Sequence, residues 1–160
     1  MVTQEEFTHL AETYIDTVFR VAFNYLKSAA DAEDITQNVF MKLLQTDISF
    51  KSEDHARFWL IRVTVNACKN VLRSKRWNQA DFEVYAQQLT FETSGQSELF
   101  YSVMDLPEKY RVPIYLYYYE GYSTKEIGSL LHLPKNTVCT RLNRGRQLLR
   151  KTYEEGESHA

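Results

Sequence analysis

The stretch STKEIGSLLHLPKNTVCTRLNRGR, Ser123 to Arg146, decides the fold. Ser123 followed three residues later by Glu126 has the form of a capping box. In that motif the serine hydroxyl and the glutamate carboxylate each satisfy a backbone N–H at a helix start. The helix so opened is predicted over 124–131. The turn His132-Leu133-Pro134 ends it, and a second helix is predicted from about Lys135 to Tyr153. A helix of about eight residues, a three-residue turn and a longer helix are helix-turn-helix dimensions. Ile127, Leu130, Leu131, Leu133, Val138 and Leu142 are available for its small core. Gly128 falls where the two helices must approach closely. The exposed face of the second helix then carries Lys135, Asn136, Thr140, Asn143 and Arg144, with Thr137 beside them. These side chains suit major-groove base edges and phosphates.

Outward from this motif the chain reads as helices throughout. A module begins near Ser97 with a short helix ending at Asp105. Pro107 suits the first turn of the next helix, predicted to run to Glu120 with Pro113 inside it. Gly121 reads as its C-cap. Toward the N-terminus, Thr3 and Glu6 form another capping box, opening a helix over 3–26. There Phe7, Leu10, Tyr14, Val18, Val21 and Tyr25 recur at spacings of three and four. A helix from Asp31 to Gln45 turns Ile35, Val39, Phe40, Leu43 and Leu44 inward, and Asp31, Glu33 and Asp34 at its start complement the helix dipole. After a loop at 46–54, a long helix runs from His55 to Arg76. Its buried stripe is Phe58, Ile61, Val65, Cys68 and Leu72. Its polar stripe is Arg62, Asn66, Lys69, Arg73 and Arg76, at spacings that place all five on one face. The fold class is therefore all-α. Two small helical domains are joined by a flexible linker, and the C-terminal domain is a helix-turn-helix. Residues 1–76 form the first domain, 77–96 the linker and 97–155 the second. Twenty linker residues span at most ~65 Å when extended, more than the ~34 Å of one DNA turn.

Composition and charge agree. Hydrophobic residues at 44% with 25% charged indicate a folded soluble chain. Only 5 Gly and 3 Pro argue against a loop-rich or all-β fold. No signal peptide and no membrane span are expected, and the protein is expected to be cytoplasmic. Cys68 and Cys139 have no CxxC partner or zinc-site histidine, so neither a disulfide framework nor a metal is expected. The formal net charge of −2 conceals a pattern. Residues 57–76 carry 6 basic and no acidic groups, and residues 109–151 carry 9 basic and 2 acidic. Acidic stretches flank both blocks, which suggests two separate contacts with a polyanion. His9, His55, His132 and His159 have no partner at triad or ligand spacing, and there is no glycine-rich phosphate loop. No enzyme activity and no cofactor are expected.

Three stretches in order resemble one family. LPEKYRVPIYLYYYEGYSTKEIGSLLHLPKNTVCTRLNRGRQLLR resembles region four of the extracytoplasmic-function (ECF) sigma factors of bacterial RNA polymerase. DAEDITQNVF at 31–40 and RFWLIRVTVNACKNVLRSKRW at 57–77 resemble the two helices of that family's region two. The resemblance implies an alternative sigma factor that binds core RNA polymerase and directs promoter-specific transcription initiation. It implies that Asp31, Glu33, Asp34 and Gln37 face the polymerase, Asp31 also capping its helix. It implies that Arg62, Asn66, Lys69, Arg73 and Arg76 meet the −10 promoter element. Duplex opening and base capture near the preceding loop need stacking aromatics. Phe50 and Trp59 are the candidates, Trp59 reading also as core.

The resemblance further implies −35 contacts by Cys139, Thr140, Asn143 and Arg144, with Lys135, Asn136 and Thr137 at the same helix end. Arg146 and Lys151 are assigned to phosphates or solvent, and Arg141 to a bracing pair with Glu126. An anti-sigma factor is an implied partner. The sequence departs from the family pattern at Asn38, Asn70, His132 and Cys139. His132 stands where the turn usually has Gly and must adopt a left-handed backbone. The rival reading is a stand-alone helix-turn-helix regulator that binds an operator as a dimer.

Overall fold

A helix needs partners for the unpaired N–H groups at its start, and the two capping boxes marked in the sequence, at Thr3 and Ser123, are where two of these helices begin. The computed structural model describes residues 1–74 and 94–158. Arg76 and nearly all of the expected linker lie outside the described residues. The chain divides into two compact units, Met1–Gln88 and Leu89–Ala160. All regular structure among the described residues is helical.

In the first unit, α1 (Gln4–Leu26) opens on Thr3 with both bonds of the capping box formed, each at 3.1 Å. α2 (Ala29–Gln45) opens on Ser28, whose hydroxyl accepts the Asp31 N–H at 3.2 Å. The helix thus starts two residues before the expected Asp31, and Ser28 rather than Asp31 is its cap. Serine is among the strongest N-cap formers, and it leaves the aspartate to the first turn. α3 (Glu53–Ser74) also starts two residues early, with the Ser52 hydroxyl accepting the His55 N–H at 3.1 Å.

α1 packs against both α2 and α3, and those two against each other. Val18, Val21, Val39, Leu43, Leu60 and Ile61 are among the largest fully buried side chains. Each stabilises by roughly 1.5–3 kcal/mol relative to exposure. Three expectations change here. Phe58 and Leu72, at the two ends of the stripe expected to be buried on α3, are only partly buried, while Ile61, Val65 and Cys68 between them are buried. Leu44 was read as inward-facing but is 47% exposed. Residues 43 and 44 differ by 100° around the helix, and Leu43 takes the core position. Conversely, every residue from Val21 to Leu26 is buried, because the end of α1 is enclosed on two sides. Buried Thr36 and Thr64 satisfy their hydroxyls on the carbonyls of Ala32 and Leu60, four residues back, at 2.7 Å.

In the second unit, α4 (Ser94–Met104) begins three residues inside the stretch read as linker. Serine and glycine break a helix in its interior but are tolerated at a helix start. α5 (Glu108–Tyr118) follows Pro107, whose carbonyl accepts the Tyr110 and Arg111 N–H groups at 3.0 and 2.9 Å. α5 ends two residues earlier than predicted. Gly121 then takes φ +76°, and the Tyr122 N–H reaches back to the Leu116 carbonyl at 3.1 Å. α6 (Thr124–Leu131) and α7 (Lys135–Ser158) complete the unit. Arg111 is only 6% exposed and donates to the Leu106 carbonyl at 2.9 Å. One of the cations of the second basic block therefore holds the α4–α5 turn instead of facing solvent. α5 crosses α7 at buried Gly145, where an added Cβ would lie 3.0 Å from Ile114 Cγ1.

Candidate nucleic-acid interface

The helix-turn-helix is α6 and α7. Ser123 and Glu126 exchange hydrogen bonds of 3.1 and 3.0 Å, so the box predicted from sequence is formed. Ile127, Leu130, Leu131, Val138 and Leu142 are buried as expected, and Leu133 is partly so. The turn depends on two residues. His132 takes φ 58°, ψ 46°, the left-handed conformation expected for a position usually held by glycine. Gly128 is buried, and a Cβ there would lie 2.7 Å from the Leu133 carbonyl oxygen, closer than real contacts allow. The turn backbone, not the second helix, is what crowds it.

Around α7, Lys135, Asn136, Thr140, Asn143 and Arg144 are exposed, while Thr137, Cys139, Arg141 and Arg146 are partly so. Asn136, Thr137, Thr140, Arg141 and Arg144 line one wall of an open groove whose other wall is Lys109 and Tyr110 of α5. The Arg141–Glu126 brace is absent: Glu126 gives its carboxylate to the Ser123 N–H, and Arg141 faces the groove. Capping needs only a local rotamer, whereas the brace needs two long side chains to be ordered. Arg146 belongs to another group. Its Nε donates to the Tyr118 hydroxyl, and its Nη1 donates to Asn143 Oδ1 at 2.9 Å. The Tyr117 and Tyr118 rings lie 5.6 and 5.5 Å from its Cζ. Lys109 and Tyr118 were missed by sequence reading. Only the α5–α7 crossing brings them beside the recognition helix.

On α3, Asn66 and Arg73 are exposed and Arg62 and Lys69 partly exposed, on the one stripe their spacing predicts. The Arg62 guanidinium carbon lies 5.0 Å from the Phe58 ring centroid. Phe50 sits edge-on to His55 and Trp59, at 5.4 and 5.6 Å between centroids. Trp59 is partly exposed, so it is neither wholly core nor wholly free. On α2, Glu33, Asp34, Gln37 and Asn38 are exposed and Asp31 partly so. Met41 and Leu44, 54% and 47% exposed, continue the face of Asp34 and Gln37 at helical spacing. That apolar extension was missed, although the same three-and-four spacing carried forward from Gln37 reaches it.

At the other edge of this unit, His9 Nε2 lies 3.0 Å from Glu53 Oε1, and the Tyr14 hydroxyl donates to the same oxygen at 3.1 Å. Burial holds the Tyr14 phenol above its ordinary pKa, with the Glu53 hydrogen bond acting in the same direction. Both cysteines are free thiols, Cys68 buried and Cys139 partly exposed. No helix among the described residues is long and apolar enough to cross a membrane.

Comparisons with known proteins fit this geometry. Residues 10–78 match the model of sigma-70 region 2, and residues 102–149 match that of sigma-70 region 4. The chain is 30% identical to the ECF RNA polymerase sigma factor SigW of Bacillus subtilis, across 95% of this chain and 91% of that one. Its fold is similar to that of the sigma factor RpoE of Bartonella quintana, solved with the anti-sigma factor NepR. The TM-score is 0.70 at 17% identity, over 94% of this chain and 98% of that one. It is also similar to CnrH in complex with the cytosolic domain of CnrY, with TM-score 0.66 at 20% identity over 96% and 90% of the two chains. Two helical units, one presenting a basic helix stripe and the other a helix-turn-helix, and a relative matched almost end to end lead to one assignment. The chain belongs to the extracytoplasmic-function subfamily of sigma-70 factors, alternative sigma factors that direct transcription initiation.

Proposed function

We propose that the chain divides its work among three surfaces. Residues 1–76 dock on core RNA polymerase and handle the −10 element, 77–96 are the tether, and 97–155 read the −35 element. Asp31, Glu33, Asp34 and Gln37 on α2 face the polymerase, with Met41 and Leu44 adding apolar area to the same contact. Exposed carboxylates beside exposed apolar side chains suit a partner that offers cations around an apolar patch. Arg62, Asn66, Lys69, Arg73 and Arg76 hold the −10 strand, and Phe50 and Trp59 supply stacking planes. Lys135, Asn136, Thr137, Cys139, Thr140, Asn143 and Arg144 face the −35 major groove. Lys109 and Arg141 hold flanking phosphates across the groove, and Arg146 stands at the rim of this surface.

The observation that carries this reading is the separation of cations onto two unlike surfaces. One is a continuous helix stripe with aromatics beside it. The other is a helix-turn-helix with an exposed polar face. We assign no catalytic step to the chain: it supplies the promoter address and its partner the chemistry. It acts in the cytoplasm, where polymerase and chromosome meet. The similar sigma factors RpoE and CnrH were solved with NepR and with the cytosolic domain of CnrY. A sequestering anti-sigma partner is proposed here by analogy.

In-vitro transcription tests the reading. Core polymerase with this chain should start RNA synthesis at a discrete set of genomic sites, and core alone should not. Promoter DNA should be bound weakly by the chain alone and tightly by the holoenzyme. Tight sequence-specific binding by the chain alone, with no initiation when core is added, would sink it in favour of a stand-alone operator-binding regulator.

A further inference from the structure

Arg146 stands between the recognition face and a helix outside the helix-turn-helix. Its guanidinium has donors only, and three contacts fix where they point. Nε donates to the Tyr118 hydroxyl, and the Tyr117 and Tyr118 rings flank Cζ at 5.6 and 5.5 Å. Nη1 then meets Asn143 at 2.9 Å. Because an arginine can only donate, the Asn143 atom it meets must be the carbonyl oxygen. The Asn143 amide nitrogen is therefore turned the other way, on a residue exposed along the α7 face.

This polarity decides what the side chain can read. A free asparagine rotates its terminal amide and offers oxygen and nitrogen together, the pattern that matches the amino group and N7 of adenine. With its oxygen turned toward Arg146, Asn143 faces outward with N–H donors, so adenine keeps a partner for N7 but loses the acceptor for its amino group. Those donors match edges that only accept, namely N7 and O6 of guanine or O4 of thymine. We propose that Tyr118, acting through Arg146, is a positioning residue that sets the base preference of Asn143. Tyr118 touches no base. It holds the guanidinium, the guanidinium holds the amide, and the amide selects guanine or thymine over adenine. The inference rests on the reading of this face as the −35 surface.

The test uses holoenzyme and a promoter library randomised across the −35 element, scored by transcript abundance. Asn143→Ala identifies the position that Asn143 reads, as the one where preference flattens. At that position the wild type should favour guanine or thymine. Arg146→Met should shift the ratio toward adenine by roughly fivefold or more, the lower end of what one discriminating base contact supplies. Tyr118→Phe keeps the ring but loses the hydroxyl acceptor, and should shift the same ratio in the same direction by less. Neither variant should alter preference at other positions. Tyr118 is 54% exposed, so its phenylalanine variant keeps the fold. Two outcomes overturn the relay: unaltered preference at the Asn143 position in both variants, or an even loss across all sequences. If Asn143→Ala flattens no position, the −35 reading of this face fails first, and the relay falls with it.

Discussion

Gly128 and His132 show how single residues shape the turn of the recognition motif. An added methyl at Gly128 would meet the Leu133 carbonyl oxygen at 2.7 Å, and that carbonyl is backbone that cannot rotate away. Gly128→Ala should destabilise the second unit by about 1–3 kcal/mol, the range for overpacking a closed site. Urea denaturation should show an earlier midpoint, and promoter recognition should fall with it. His132 presents the opposite case. A non-glycine residue at φ 58° costs about 1–2 kcal/mol. Glycine removes that strain but adds about 0.5–1 kcal/mol of unfolded-chain entropy. His132→Gly should therefore stabilise by up to about 1 kcal/mol, read as a later denaturation midpoint at unchanged slope. His132 was legible as a left-handed residue through the family resemblance, because it stands where the turn usually has glycine. The crowding at Gly128 was legible only in part. Its smallness pointed to a close approach, but not to which atom approaches.

Between elements, the α1–α3 edge carries a pH dependence. The Tyr14 hydroxyl donates to Glu53 Oε1, and burial raises the phenol above the ordinary 10.0. The folded chain therefore holds that proton more tightly than the unfolded chain does. The resulting stabilisation is fully present below pH of about 10 and is lost as pH climbs through the raised folded value. Tyr14→Phe should flatten this part of the stability–pH curve between roughly pH 9 and 11, where tyrosines titrate. A wild type and variant with parallel curves over that range would remove the Tyr14–Glu53 bond as a source of the effect. No sequence pattern indicated this edge, because Tyr14 and Glu53 are 39 residues apart. Their meeting requires α1 to pack on the start of α3.

For the whole molecule, two cationic surfaces on one chain make promoter binding depend on salt. Each phosphate neutralised contributes a slope of about −0.9 in log K against log salt. Arg73 is exposed on the α3 stripe, and Arg73→Ala should reduce the magnitude of the holoenzyme–promoter slope by about 1, weakening all promoters alike. Arg144→Ala should instead cost ~1–3 kcal/mol at the preferred −35 sequence and relax selection there. Titrations of the two variants at several salt concentrations separate the roles. Equal slopes and equal sequence preference in both would dissolve the distinction between backbone and base contact.

The sequence by itself determined the helices, the capping boxes at Thr3 and Ser123, the helix-turn-helix spacing and the polar stripe of α3. All of these follow from interactions within about four residues along the chain, where helical period and capping geometry leave few alternatives. Only the tertiary structure decided which cations stay available. Arg111 is folded under the α4–α5 turn, Arg141 faces a groove instead of pairing with Glu126, and Arg146 is drawn to Tyr118. It also decided that Leu44 lies outside and the whole end of α1 inside. The physical reason is the same in each case. A side chain's fate depends on which helix crosses above it, and crossing helices are brought together by packing between residues far apart in sequence, which no local pattern records.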